Sequence, residues 1–161
     1  MEIRDATDAD WPAIYPFFSA IVEAGETYAF PLGLTSDEAK GWWMESAPGR
    51  TVVAVADGVV WGSAKMGPNR PGRGAHIGTG SFMVDPAAQG RGVGRALAGE
   101  VIEWSRAAGF AGIQFNAVVE TNRGAVHLWR SLGFEVLATV PEAFDSAAHG
   151  RVGLHVMYKK L

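Results

Sequence analysis

Ser81 to Leu97 reads Ser-Phe-Met-Val-Asp-Pro-Ala-Ala-Gln-Gly-Arg-Gly-Val-Gly-Arg-Ala-Leu: an apolar strand, a proline break, a glycine-rich turn and the opening of an amphipathic helix. Backbone N–H groups at a helix N-terminus have no intrahelical partner, and together with the helix dipole they attract phosphate. Gly90, Gly92 and Gly94 remove the side chains that would block a close approach. The turn is therefore the first candidate for a cofactor site.

Two familiar glycine loops fail on their residues. A P-loop needs Lys followed by Ser or Thr after its last glycine, whereas Arg95 and Ala96 follow Gly94. A dinucleotide fingerprint counted from Gly90 needs a third glycine at Arg95, and Gln114 stands about 20 residues further on, where an acidic ribose ligand belongs.

The elements around the turn set the fold class. Ile3 to Arg4 reads as a first strand. Thr7 or Asp8 caps a helix whose apolar positions Trp11, Ile14, Phe17, Phe18, Ile21 and Val22 recur at helical spacing, with Gly25 as its end. A loop, Glu26 to Pro31, leads to a capped second helix from Thr35 through Trp42, Trp43 and Met44. Thr51 to Ala56 and Val59 to Met66 form a hairpin on Asp57-Gly58, and a third strand runs from about Ala75 to Val84. After the turn, Val93, Leu97, Val101, Trp104 and Ala108 share a helical face closed by Gly109. Ile113 to Val119 is a buried strand, Asn122 to Leu132 a helix ending at Gly133, and Phe134 to Val140 and Val152 to Tyr158 are strands. The order βααβββαβαββ is α+β, a mixed sheet with one βαβ crossover from Phe82 to Val119.

Composition narrows the function classes. The 161 residues suit a single domain, 1–161, and 48% hydrophobic with 19% charged residues is ordinary for a soluble protein. No run reaches the ~18 apolar residues of a membrane span, and Met1 to Asp5 lacks the apolar stretch of a signal peptide, so the cytoplasm is the default and no membrane is expected as a partner. Zero Cys leaves no disulfide, thiol nucleophile or thiolate metal site, and no metal is expected. A net charge of −3 with 14 scattered basic residues argues against nucleic acid. A homodimer stays open.

Gln89-Gly90-Arg91-Gly92-Val93-Gly94 after the strand Phe82-Met83-Val84 resembles the acetyl-CoA pyrophosphate loop of the GCN5-related N-acetyltransferase superfamily. The segment from Asn122 to Phe134 is similar to that family's N-x-x-A-x-x-x-Y-x-x-x-G-F helix, through Asn122, Ala125, Gly133 and Phe134. The resemblance runs along essentially the whole chain and implies a mixed, mostly antiparallel sheet flanked by helices. It implies that Gln89 to Arg95 binds the pyrophosphate of acetyl-CoA, that Phe82, Met83 and Val84 pair through their backbone with the pantetheine arm, and that the N–H near Val84 faces the thioester carbonyl. Asn122, a good helix cap in any case, would also bond the arm. Arg91, Arg95 and Arg123 are either contacts of the outer phosphate or solvated surface charges.

The departure from the family pattern is Trp129, where many members carry a Tyr proposed to protonate the departing thiolate. An indole N–H is no such acid. A thiol pKa near ~8.5 makes the thiolate a fair leaving group near neutral pH, so little help is needed. Trp129 is thus an apolar wall against the arm or ordinary core packing, and Tyr28 and Tyr158 stay open as alternative donors.

For a base, Glu26, His76, Glu120, Glu142, His149 and His155 are the titratable candidates. Glu26 stands out because its loop, in this family, walls the acceptor pocket, and Tyr28, Phe30 and Pro31 surround it in sequence. A carboxylate in such a pocket binds an ammonium group or accepts its proton. Asn116 interrupts an apolar strand, and an inward amide needs partners. That segment, with Leu128 to Phe134, resembles the proline-analogue N-acetyltransferases of fungi, in which an Asn on this strand orients the acceptor; a bonded polar residue on the solvent face is the alternative. The resulting expectation is an acetyl-CoA-dependent N-acetyltransferase for a small amine or amino-acid-like acceptor. A non-catalytic acyl-CoA sensor and a protein-acetylating enzyme are the alternatives.

Overall fold

In the computed structural model, which describes residues 1–161, Asp57 and Gly58 both adopt positive φ (53° and 74°) and turn β2 (Arg50–Ala56) back as β3 (Val59–Pro68). Such a left-handed pair matches the twist of the strands it joins. The other elements are β1 (Glu2–Asp5), α1 (Trp11–Ala24), α2 (Ser36–Trp43), β4 (Ile77–Val84), α3 (Val93–Ala107), β5 (Gly112–Val119), α4 (Arg123–Ser131), β6 (Glu135–Ser146) and β7 (Gly150–Lys160). This is the α+β order read from the sequence.

Local chemistry explains the boundaries. Gly25, at φ 69°, ends α1, and Thr35 with Glu38 forms a reciprocal capping box at the start of α2. The expected cap at Thr7 or Asp8 serves a short 3-10 turn, Asp8–Asp10, before α1 proper begins at Trp11. There Asp10 accepts from Thr7 N and pairs with both ends of the Arg4 guanidinium at 2.7 and 2.8 Å. Arg4 holds the Asp10 carboxyl far below the usual carboxylate range.

The seven strands lie in the order β1-β2-β3-β4-β5-β7-β6. Every neighbouring pair is antiparallel except β4 and β5. Side-chain alternation sorts the buried residues into two cores. Val52, Ala54, Ala64, Ile113 and Phe115 pack with α3 and Trp129 on one face, while Val53 and Met83 pack with α1 and α2 on the other. No helix is long and apolar enough to cross a membrane.

One boundary differs. The last two strands continue past Val140 and before Val152 into a longer hairpin, Ser146 pairing with Gly150. Pro141, Glu142 and Asp145 look like a loop in sequence, but they lie on an exposed stretch of β6 in which Asp145 pairs with Arg151. A register shift between Val140 and Phe144 absorbs Pro141 and the positive φ of Glu142 (53°), as β-bulges do.

Candidate active site

β4 and β5 pair only at Ile77–Gly112 and Gly78–Ile113, and then diverge. Asp85 N donates to Trp61 O (2.9 Å) and Asn69 N donates to Ile77 O (2.8 Å), so odd-numbered residues of β4 direct their backbone groups to β3. Even-numbered residues, Phe82 and Val84 among them, direct theirs to the edge left open by the divergence. The cleft there measures about 880 Å³.

Three strand residues expected along the cofactor arm therefore stand differently. Val84 offers an open edge. Met83 pairs its backbone with β3 and buries its side chain at 1% exposure among α1 and α2, touching the cleft from below. Phe82 lies on the open edge, but its N–H donates to the Tyr28 hydroxyl at 2.7 Å and its carbonyl accepts from that hydroxyl at 2.6 Å. The Tyr28 ring stacks on Phe30 (5.5 Å, 9°) and meets Trp43 edge-on (6.2 Å, 87°). Burial pushes the Tyr28 phenol well above its usual pKa, so it stays protonated.

The glycine turn leaves its amides free. The first intrahelical bond is Ala96 N to Gly92 O at 3.0 Å, and no protein acceptor meets the N–H of Gly92, Val93, Gly94 or Arg95. Gly90 and Gly92 have φ of 79° and 78°, which a side chain would strain. Gln89, Gly90, Gly92, Gly94 and Arg95 line the cleft. Val93 lines it too, while its side chain turns into the α3 core at 2% exposure. Arg95 donates to Ser131 Oγ at 2.8 Å, which steers its guanidinium toward α4. Arg91 stacks over the Trp61 ring at 4.6 Å, and Arg123 is exposed on α4; neither lines the cleft.

The inner wall is aromatic. Trp129, 6% exposed, packs 4.7 Å from Phe82, 4.8 Å from Phe115 and 6.0 Å from Phe134, so it is a core residue and a cleft wall at once. Asn122 accepts from Ala125 N at 3.3 Å as the cap of α4, and its other edge lies on the cleft.

On the α1 face the cleft turns polar. Asn116 alternates with the buried Ile113 and Phe115, and a register shift between Phe115 and Val118 releases it from β7. Asn116 Nδ2 donates to Asn69 Oδ1 at 2.7 Å, and Gln114 Nε2 donates to Asn116 Oδ1 at 3.1 Å. Asn116 is thus exposed and bonded, and it lines the cleft together with Thr79 and Ser81. Asn69, which fixes its amide, has no sequence signal beyond the turn chemistry of Pro68-Asn69.

Glu26 does not reach the cleft. Its carboxylate accepts from Ser146 Oγ at 2.7 Å and Ala148 N at 2.8 Å, tying the loop after α1 to the β6–β7 turn. The Ser146 hydroxyl, aided by the Ala148 amide, holds the carboxyl below its usual pKa. The expected aromatic surroundings fail because Tyr28 and Phe30 turn inward against Phe18 and Trp43, while Glu26 points the other way. Glu120 accepts from Gly153 N, and His155 meets Thr139 Oγ1 at 2.7 Å, both along β7. His76, Glu142 and His149 are exposed, and none of the six candidate bases lines the cleft. Tyr158 lies over Gly112, so close that a Cβ there would collide with its hydroxyl, and it too is outside. The ionisable lining consists of Tyr28, Asp85 and Arg95, and Asp85 is engaged with Ala87 N at 2.8 Å.

Known proteins share this architecture. A GCN5-related N-acetyltransferase from Kribbella flavida superposes with a TM-score of 0.97 at 61% identity, over 99% of this chain and 97% of that one. A putative acetyltransferase from Salmonella typhimurium, yncA, solved with its cofactor acetyl-CoA, superposes with a TM-score of 0.84 at 28% identity, over 100% and 94%. The L-amino acid N-acyltransferase MnaT of Escherichia coli is 30% identical over 145 residues, 88% of this chain and 84% of that protein. Residues 10–134 match the acetyltransferase (GNAT) family, and with the free amides of the glycine turn at one end of a β4–β5 cleft the chain belongs to that family.

Proposed function

We propose that this chain transfers an acetyl group from acetyl-CoA to the amine of a small, amino-acid-like acceptor. The observation that carries the reading is the two-ended cleft. Unpartnered amides from Gly92 to Arg95 lie at one end, and the amide set of Asn116 and Asn69 with Thr79 and Ser81 lies on the α1 face.

Acetyl-CoA supplies the acetyl group as a thioester. Four free N–H groups and the α3 dipole suit its pyrophosphate, and glycines at 90 and 92 leave that approach open. The open edge at Val84 offers backbone groups to an amide-bearing arm, and its N–H is the donor for the carbonyl oxygen. Trp129, Phe82 and Phe115 keep water from one side of the arm. Because no imidazole and no unengaged carboxylate lines the cleft, the acceptor nitrogen gives its proton to water. Trp129 carries no hydroxyl, and the thiolate leaves without an acid there.

Support for an amino-acid-like acceptor comes from the polar, uncharged chemistry of Asn116, Thr79 and Ser81, and from the similarity to an enzyme named for L-amino acids. The test is thiol release from acetyl-CoA against amino acids, simple amines and short peptides. Turnover confined to free amino acids or small amines supports the reading. Turnover with peptides alone moves the acceptor class to proteins, and no thiol release with any of them removes the proposal.

A further inference from the structure

We propose that Tyr28 sets the length of the acyl group that the cleft admits, an inference that rests on reading the cleft as an acyl-CoA site. A donor arm anchored at the glycine turn, beyond the C-terminal end of β4, runs back along the open edge from Val84 toward Phe82. Strand residues rise about 3.3 Å each, so outward-facing backbone groups on one edge recur every ~7 Å. Val84 is open. At the next position both groups of Phe82 are held by the Tyr28 hydroxyl, at 2.7 and 2.6 Å. The hydroxyl therefore stands on the track one repeat beyond the open position.

This stop is stiff. The Tyr28 ring is fixed by Phe30 and Trp43, and Trp43 is fully buried with its own indole N–H on Ser63 Oγ at 2.9 Å. Swinging the ring aside would strip Phe82 of both hydrogen bonds beside an apolar wall, where unpaired polar groups are costly. On the opposite side, the Phe82 ring is closed off by Phe115 at 5.7 Å and Trp129 at 4.7 Å. An acetyl group ends against the hydroxyl, whereas a longer chain must displace it or abandon the edge.

Calorimetric titration with acetyl-, butyryl- and hexanoyl-CoA, without acceptor, tests this directly on the wild type, Tyr28→Ala and Tyr28→Leu. Wild-type affinity should fall roughly tenfold from acetyl to butyryl, the effect of forcing extra methylenes against a packed wall, and further for hexanoyl. In Tyr28→Ala the acetyl-to-butyryl ratio should shrink to about twofold or less, through tighter binding of the longer esters, because the wall is gone. Tyr28→Leu keeps apolar contact with Phe30 and carries the same expectation if the alanine variant fails to fold. Tyr28→Phe, which keeps the ring, should still discriminate against hexanoyl-CoA. A folded Tyr28→Ala or Tyr28→Leu that binds acetyl-CoA with the wild-type ratio overturns the stop and leaves the cofactor site standing, as does a wild type that binds all three esters alike. A wild type that binds none of them removes the cofactor reading itself.

Discussion

Glu26 and Ser146, far apart in sequence, meet at 2.7 Å, and the same carboxylate takes the Ala148 amide while Ala147 N donates to Gly25 O at 3.0 Å. The C-terminal end of α1 is thereby stapled to the tip of the β6–β7 hairpin, and each of these two segments contributes a lining residue to the cleft, Tyr28 and Phe144. The staple holds the walls of the site in register without touching what binds between them.

Glu26→Gln should loosen this staple. The folded carboxyl titrates below its usual value, so its contribution is complete above the ordinary carboxylate pKa and is lost as the pH falls through the lowered one. Amide exchange at Ala148 and His149 should be several-fold faster in the variant at neutral pH, and this difference should vanish in acid. Equal exchange at neutral pH would show that the contact does not hold the turn.

Gly92→Glu should abolish acetyl-CoA binding. Gly92 sits at φ 78°, so any side chain strains the turn, and a carboxylate adds like charge where phosphate is expected. Unchanged calorimetric affinity in a folded variant removes the central claim about the turn.

Trp129→Phe should keep kcat within about tenfold of wild type, since no hydroxyl acts there. Trp129→Ala should cost ~3–5 kcal/mol in stability, because the indole fills the space between Phe82, Phe115 and Phe134. A loss of ~100-fold or more in kcat for the phenylalanine variant, the size of a lost catalytic group, with cofactor affinity intact, would show that the indole does more than wall the arm.

The pH dependence should belong to the acceptor. Tyr28 stays protonated and Glu26 ionised between about pH 6 and 9, and the one carboxylate lining the cleft, Asp85, is held by Ala87 N. Below the amine pKa, kcat/KM should rise about tenfold per pH unit as the neutral amine accumulates, and then level at that pKa. Two acceptors of different amine pKa should give two different inflections. A shared inflection would reveal an enzyme base.

Asn69→Ala should lower kcat/KM for the acceptor and leave acetyl-CoA affinity unchanged. Asn69 Oδ1 fixes the Asn116 amide from outside the cleft lining, so its loss frees Asn116 to rotate. Wild-type kcat/KM in Asn69→Ala together with Asn116→Ala would place acceptor recognition elsewhere.

Local signals were strong enough to specify most elements from the chain alone. Asp57-Gly58, the capping box of Thr35 and Glu38, Gly25 and the glycines at 90 and 92 each select a backbone conformation through sterics or a neighbouring hydrogen bond, and each formed as read. The apolar run from Val52 to Val55 and the amide at Asn116 left their faces open, and only the folded sheet turns Val52 toward α3 and Val53 toward α1. Tertiary structure decided what long-range geometry controls. Phe82 shares its β4 edge with Val84, yet only folding brings the Tyr28 hydroxyl to it. Glu26 has aromatic neighbours in sequence, but it points away from them because Ser146 and Ala148 offer donors that the solvated loop lacks. A residue's conformational preference is set within a few neighbours, whereas the partner of a polar side chain is whatever the closed sheet puts within 3 Å, and that distance is not written locally.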